Sequence, residues 1–192
     1  LGKNEGKGFE ESLEQSVKSM KPKMFFLRIK DTFIPPDLRA RVRVTKNKYD
    51  CLLFDQGYLL TLELKSTGNK SVSFDEKIIK QHQIDNLLEA STYENTISGF
   101  LFNFREYDNK TYFVHIQDFV KYQHTAQGKS SHTYKSKVNK SSISLDICEE
   151  IGIELKNYLK KKNYHYHVRI MIDEAIKKYC DKDNPVERIV VV

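Results

Sequence analysis

The sequence predicts an α/β domain in which a mixed central sheet is flanked by helices. Three observations carry that reading. Apolar residues recur at helical spacing near the start of the chain and again beyond residue 145. Between them, the stretches 24–29, 49–65, 97–104 and 111–116 are apolar or alternating in the manner of strands. The resulting order is helix, several strands, helix, two strands, helices, which closes a sheet between helical layers. At 192 residues the chain suits a single domain, and 39% hydrophobic residues, with 11 Phe and 11 Tyr among them, suffice for an ordinary core.

Phe9, Leu13, Val17 and Met20 predict a first helix that Pro22 closes, with Glu10 beside the apolar stripe. MFFLRI (24–29) predicts a buried strand, after which Pro35–Pro36 break regular structure. LRARVRV (38–44) sets Leu38, Ala40, Val42 and Val44 against Arg39, Arg41 and Arg43, a strand or arm with one cationic side. YDCLLFDQGYLLTLELK (49–65) predicts a hairpin, followed by a turn over Ser66–Lys70. Ser73 and Glu76 have the spacing of a capping box, so a helix is predicted from Ser73 through QHQIDNLLEA. ISGFLFNF (97–104) and TYFVHI (111–116) predict two strands joined by the turn-rich REYDNK. Two further helices are predicted, one over 145–161 with Ile147, Ile151, Leu155 and Leu159 in register, the other from Val168 to Tyr179.

The balance of 32 Lys+Arg against 26 Asp+Glu gives a net charge of +6, a weak hint of a polyanionic partner taken alone. Its distribution says more. From Leu38 to Tyr49, Arg39, Arg41, Arg43, Lys46 and Lys48 have no acid among them. The loop 124–142 carries Lys129, Lys135, Lys137 and Lys140, again without an acid. Such segregation suggests a phosphate-facing surface, although two solvated loops would look the same. No apolar run approaches the roughly 18 residues that span a bilayer. There is no signal-peptide pattern, no GxxxxGK[ST] and no GxGxxG. Cys51, Cys148 and Cys180 are odd in number and lack metal-finger spacing, which points to reduced thiols in a cytoplasmic protein. His165-Tyr166-His167 has no acidic or thiol partner nearby and reads as a surface turn.

The hairpin poses the chemical question. If Gln56–Gly57 is its two-residue turn, then Asp55 faces Tyr58 and, counting back, Asp50 faces Glu63 on the same face as Lys65. Directly opposed side chains have Cβ atoms about 4.5–5.5 Å apart, where like charges are destabilising. A three-residue turn would shift the register and separate the acids. In the first register two carboxylates converge beside an ammonium. That set suits a hard divalent cation and metal-assisted hydrolysis of a phosphodiester, with the lysine orienting water or stabilising developing charge. The spacing alone is common, and a pair of solvent-facing hairpin ends would satisfy it too.

Asp50…Glu63-Leu64-Lys65, on a hairpin preceded by a helix bearing GKGFE, resembles the PD-(D/E)XK nuclease superfamily. More narrowly it is similar to the RecU-type Holliday junction resolvases of Gram-positive bacteria and their phages. Gly6-Lys7-Gly8-Phe9-Glu10 resembles that group's G-x-x-x-E segment, and His82-Gln83-Ile84 its H-Q-I signature. SGFLFNF and TYFVHI resemble its next core strands, and KSSISLDICEEIGIEL and VRIMIDEAI its C-terminal region. The likeness spans residues 6–180. It implies a restriction-endonuclease-like core in one nuclease domain over 1–192, with a basic stalk-like segment at 32–48 and a C-terminal helical region at 145–180. It implies a homodimeric, Mg²⁺-dependent endonuclease, with Mn²⁺ as the alternative ion, that nicks four-way junction DNA symmetrically in a bacterial or phage-infected cytoplasm. By the same resemblance Asp50, Glu63 and the Leu64 carbonyl are metal ligands, Glu10 assists them, Lys65 is the catalytic lysine, and Gln83 lies near the site with His82 beside it. Arg39, Arg41, Arg43, Lys46 and Lys48 of the stalk, with Lys135 and Lys137, are the expected DNA contacts. A recombinase is a further partner that the group suggests. Two other functions use the same residues differently. One is a generic nuclease acting on duplex DNA. The other is a non-catalytic, junction-binding accessory protein.

Overall fold

The predicted hairpin sits in the middle of one large sheet. A computed structural model describes residues 5–30, 35–38, 41, 46–129 and 131–180. Helix α1 (Glu5–Lys18) leads into β1 (Phe25–Arg28), and β2 (Cys51–Asp55) and β3 (Tyr58–Thr67) form the hairpin. Its register is the one expected from a two-residue turn: Asp55 pairs with Tyr58 and Cys51 with Leu62. Gln56 and Gly57 turn the chain with positive φ, 53° and 83°, the conformation that matches the twist of the flanking strands. There follow β4 (Ser71–Ser73), α2 (Gln81–Ser91), β5 (Thr96–Phe104), β6 (Lys110–His115) and α3 (Ile116–Ala126). The chain closes with β7 (Ser142–Ser144), α4 (Leu145–Ile151), β8 (Ile153–Glu154), β9 (Asn157–Lys160), β10 (Asn163–Tyr166) and α5 (Val168–Tyr179).

Six strands form the central sheet in the order β1-β2-β3-β5-β6-β8. All its pairings are antiparallel except β3 with β5, whose crossover contains α2. The mixed sheet flanked by helices is therefore the predicted fold class. Side chains alternate along β3. Leu60 and Leu62 join Leu13, Val17, Leu53, Leu101, Met171 and Ile172 under α1 and α5. The opposite face carries Phe100, Phe102 and Phe104 of β5 against Ile84 and Leu87 of α2, Phe119 and Tyr122 of α3 and Ile147 of α4. Glu63 and Lys65 belong to that second face, where α2 covers the sheet.

Several elements differ from expectation. MFFLRI is an edge strand rather than a buried one: β1 pairs with β2 alone among the described strands, and Phe25 and Leu27 are 56% and 46% exposed. In the 38–44 stretch, Leu38 ends a 3-10 turn (Pro36–Leu38) and Arg41 closes onto its carbonyl at 2.9 Å, so these two are in a turn and not a strand. Ser73 does not open α2. Its Oγ accepts from the Asp75 N–H in a local turn, and the helix begins at Gln81, whose N–H is capped by the Glu76 carboxylate at 2.9 Å. The start of the 124–142 loop is the end of α3, which continues directly from β6 with His115 Nδ1 accepting from the Gln117 N–H.

The 145–180 region is not all helical. α4 stops after seven residues because Gly152 turns in against β6; a Cβ there would lie 2.5 Å from the Cys148 carbonyl and 2.8 Å from that of Phe113. Ile153–Glu154 then joins the sheet, and a β9–β10 hairpin replaces the rest of the predicted helix. His165 and Tyr166 lie in β10 rather than in a surface turn, and Tyr166 is buried with its ring edge-on to Phe9.

Candidate active site

Asp50 stands one residue before β2 and is pinned from both sides. Its carbonyl accepts from the Ile29 N–H at 2.8 Å, and its N–H donates to the Leu62 carbonyl at 3.1 Å. The β2–β3 ladder ends at Cys51–Leu62, and Asp50, bonded to the Leu62 carbonyl, stands just beyond it, close enough for its carboxylate to act on Glu63. Its carboxylate is also fixed, with Oδ2 accepting from the Leu64 N–H at 2.7 Å.

Glu63 is 2% exposed. Its Oε2 accepts from Gln83 Nε2 at 2.6 Å and from Lys65 Nζ at 3.3 Å. Gln83 Oε1 in turn accepts from Lys65 Nζ at 3.0 Å and from the Lys80 N–H at 3.1 Å. The Gln83 amide thus has its oxygen toward two donors and its nitrogen toward a carboxylate, so its orientation is set by chemistry. Since the Lys80 N–H is an unsatisfied donor at the start of α2, the same amide caps the helix and braces the site. Asp50, Glu63, Lys65 and Gln83 are therefore one connected cluster, drawn from β2, β3 and α2.

Burial is the main cause that pushes the Glu63 pKa up to about 8, and the Asp50 charge adds to it; the Lys65 ammonium opposes both. Phe100, fully buried, is the parallel partner of Glu63 on β5 and accounts for much of the dry surroundings. The pair is thus short of positive charge. Two hard oxygen donors on one face, one of them holding a proton near neutrality, suit a divalent cation. Among the described residues no group of three His, Cys, Asp or Glu side chains is placed to hold a metal ion. His82, at the next position on α2, has its pKa lowered by burial first and then by the charges of Lys46 and Lys80.

Glu10 projects from α1 toward β1, where Arg28 binds its carboxylate; Arg28 also donates to Glu14 at 3.3 Å. Arg28 pairs with Cys51, so Glu10 is engaged by Arg28 on the Cys51 face, and among the described residues no hydrogen bond joins it to Asp50 or Glu63. The sequence reading missed Arg28. Its signal was present: an arginine in an otherwise apolar strand needs acidic partners, and Glu10 and Glu14 are spaced one helical turn apart. Cys51 is buried on the face away from Asp50, as expected.

Of the expected DNA contacts, Arg39 and Arg43 lie outside the described residues. Arg41 and Lys46 are exposed. Lys48 is exposed and pairs with Glu89 of α2 at 3.0 Å. Lys135 and Lys137 are exposed on a segment tied down by Glu150, which accepts from the Lys135 and Ser136 N–H groups at 2.9 Å each. No helix among the described residues is long and apolar enough to cross a membrane.

A search of solved structures finds Hjc, a Holliday junction resolvase from the archaeal hyperthermophile Archaeoglobus fulgidus, with a TM-score of 0.45 and 9% identity over 77% of this chain and 93% of that one. Among curated proteins, the SPbeta prophage-derived uncharacterized protein YotM of Bacillus subtilis (strain 168) is 52% identical over 183 residues, 95% of this chain and 92% of the relative. The family model for recombination protein U, RecU, matches residues 43–161, a stretch that contains Asp50, Glu63, Lys65 and Gln83. The chain belongs to the RecU family.

Proposed function

We propose that this RecU-family chain is a Mg²⁺-dependent endonuclease that resolves four-way DNA junctions by nicking two strands symmetrically. The observation that carries the proposal is the buried Glu63 carboxyl, braced by Gln83 and Lys65 and with the Asp50 carboxylate close by. A structural hairpin gains nothing from opposed acids; a site for a divalent ion does. Asp50, Glu63 and the Leu64 carbonyl would hold the ion, with Glu10 assisting from α1, and Mn²⁺ is the alternative. When bound, the ion supplies neutralising charge at the scissile phosphate and acidifies a water.

The chain's own groups do the remainder. Lys65, pointed by its bond to Gln83, is placed to orient the attacking water or to stabilise charge building on the phosphate. Gln83 holds both Glu63 and Lys65 and so fixes their separation. Asp50, locked onto the Leu64 N–H, keeps its second oxygen for ligation. The basic residues Arg39, Arg41, Arg43, Lys46, Lys48, Lys135 and Lys137 would neutralise phosphates of the junction arms. Symmetric nicks need two such sites related by a two-fold axis, so the active species is a homodimer.

The test compares a synthetic four-way junction with a matched linear duplex, with and without Mg²⁺, using wild type and Asp50→Asn. Paired nicks confined to the junction, dependent on the ion and lost in the variant, are expected. Equal cutting of the duplex would replace the proposal by a general nuclease. Tight junction binding with no cutting in Mg²⁺ or Mn²⁺ would leave only an accessory role.

A further inference from the structure

We infer that the β9–β10 hairpin is a second phosphate-binding element that grips the backbone of a DNA arm outside the catalytic cluster; this rests on the junction-binding function proposed above. The sequence from Leu155 to Ile172 has no acid and carries Lys156, Lys160, Lys161, Lys162 and Arg169. Within the fold, three of these cations become the end of a two-stranded ribbon that packs beside α1, with Asn163 Nδ2 donating to Gln15 Oε1 at 3.4 Å. Lys160 pairs with Asn163, leaving Lys161 and Lys162 as the two-residue turn, and all three lysines are exposed. None of the three forms an ion pair among the described residues.

The turn itself is informative. Lys161 has φ 59°, in the left-handed region where hairpin turns ordinarily use Gly, Asn or Asp. A lysine there serves folding less well than glycine would, which directs attention to its charge.

The ribbon is tied into the fold by stacking and hydrogen bonds. Tyr158 stacks on its cross-strand partner His165 at 5.7 Å. At the base, Asn157 Nδ2 donates to the Asn109 carbonyl at 3.0 Å, Asn109 Nδ2 donates to the Tyr166 hydroxyl at 2.9 Å, and the Tyr166 N–H donates to Ser16 Oγ at 3.0 Å. Asn109 lies in the β5–β6 turn. That turn begins with Arg105, whose N–H bonds the Thr67 carbonyl at 2.9 Å, two residues past Lys65 on β3. The hairpin is therefore anchored at the same end of the sheet as the catalytic cluster, on the α1 side. Lys162 and Arg105 line a cleft of about 290 Å³ between them, together with Gly8, Glu11, Gln15 and Asn103. A cationic tip fixed beside the sheet end can hold backbone that leaves the active site.

The test measures junction affinity against salt concentration for the full chain carrying Asp50→Asn, which prevents cleavage. Four forms are compared: this parent, K161G, the triple K160S/K161G/K162S, and a control with Lys18, Lys121 and Lys177 changed to Ser. The triple is expected to bind at least about tenfold more weakly and to lower the slope of log K on log salt by about 2–3, near 0.9 per lost phosphate contact. K161G alone should lower the slope by about 1 while its melting temperature stays level or rises, which a purely structural turn residue would not do. An unchanged slope in the triple, or an equal fall in the control, overturns the hairpin's role while leaving the junction-binding function standing. A parent that binds no DNA overturns the function itself, and the hairpin's role with it.

Discussion

Glu63 makes the stability of the protein depend on pH in an unusual direction. Its carboxyl titrates at about 8 in the folded chain against an ordinary 4.5, because burial and Asp50 disfavour its charge. Between those values the folded state binds a proton that the unfolded state has released, so stability falls as pH rises. The favourable contribution is complete below 4.5 and is lost by the time pH has passed through 8. At about 1.4 kcal/mol per pH unit the whole window is worth on the order of 5 kcal/mol. Against a typical stability of about 5–15 kcal/mol that is a large share. Urea denaturation in EDTA at pH 5.5, 6.5, 7.5 and 8.5 reads it directly, and Glu63→Gln supplies the reference, being close in shape and unable to ionise. Wild type should lose about 3 kcal/mol across this range relative to Glu63→Gln, with the same m-value. Parallel profiles for the two proteins would refute the reasoning, since the glutamate would then be ionised in the fold throughout.

The remaining expectations use the same cluster and its scaffold. Mg²⁺ or Mn²⁺ should raise the melting temperature more at pH 8 than at pH 6, because at pH 6 the ion must displace the Glu63 proton; Asp50→Asn should abolish the effect in thermal scans. Gln83→Ala removes partners from Glu63, Lys65 and the Lys80 N–H together, and should lower junction cleavage by about 10- to 100-fold at a stability cost of about 1–3 kcal/mol, measured by single-turnover kinetics and urea titration. Gly99→Ala would drive a Cβ to 2.3 Å from the Val114 carbonyl between β5 and β6, and should cost about 2–3 kcal/mol in denaturant without altering the metal requirement of the folded fraction. Burial pushes the Cys51 and Cys148 thiols well up, so an alkylating reagent on the native protein should modify Cys180 alone, as peptide mass spectrometry would show.

The parts of the fold legible in the sequence are those that local chemistry decides. Gln56–Gly57 fixes a turn, the turn fixes a register from Asp55–Tyr58 to Cys51–Leu62, and that register brings Asp50 to the part of β3 that carries Glu63 before any tertiary contact is known. α5 was equally legible, as its apolar stripe spans it end to end. The 145–161 stretch was not, for a physical reason. Ile147, Ile151, Leu155 and Leu159 fit a helix, yet the preference of Ile153 is settled by Phe113, its partner on β6 far back in the chain. The start of α2 is a similar case. Ser73 and Glu76 have the right spacing for a cap, but Glu76 caps a helix that begins eight residues after Ser73. That displacement is what lets Gln83, near the first turn, reach Glu63. Arg28 was missed because strand patterning weighs apolar residues and passes over the one charge that needs explaining.

A carboxyl that holds its proton to about pH 8 can exist only where water is excluded, and this restricts where in the sheet it can stand. An edge position will not do. On β1 the face shared by Phe25 and Leu27 is open, and a glutamate there would be hydrated and ionised. β3 is paired on both sides, with β2 and with β5, and Phe100, Phe102 and Phe119 pack beside it under α2. Yet a site that cuts DNA must also open to solvent. The end of β3 meets both demands: β2 begins there, so Asp50 stands just before the first rung of β2, half-buried. Lys65, two residues further along the same face, has a side chain 14% exposed. Burial thus falls off along a single face within the cluster, from Glu63 to the groups that meet the phosphate in the function proposed above. Moving the acid pair one pair of residues toward the Gln56–Gly57 turn would put its β3 member at the buried Thr61 position, farther from the open end of the sheet. Moving it the other way would hydrate Glu63 and return its pKa toward 4.5. The placement of the pair at this rung follows from those opposed requirements.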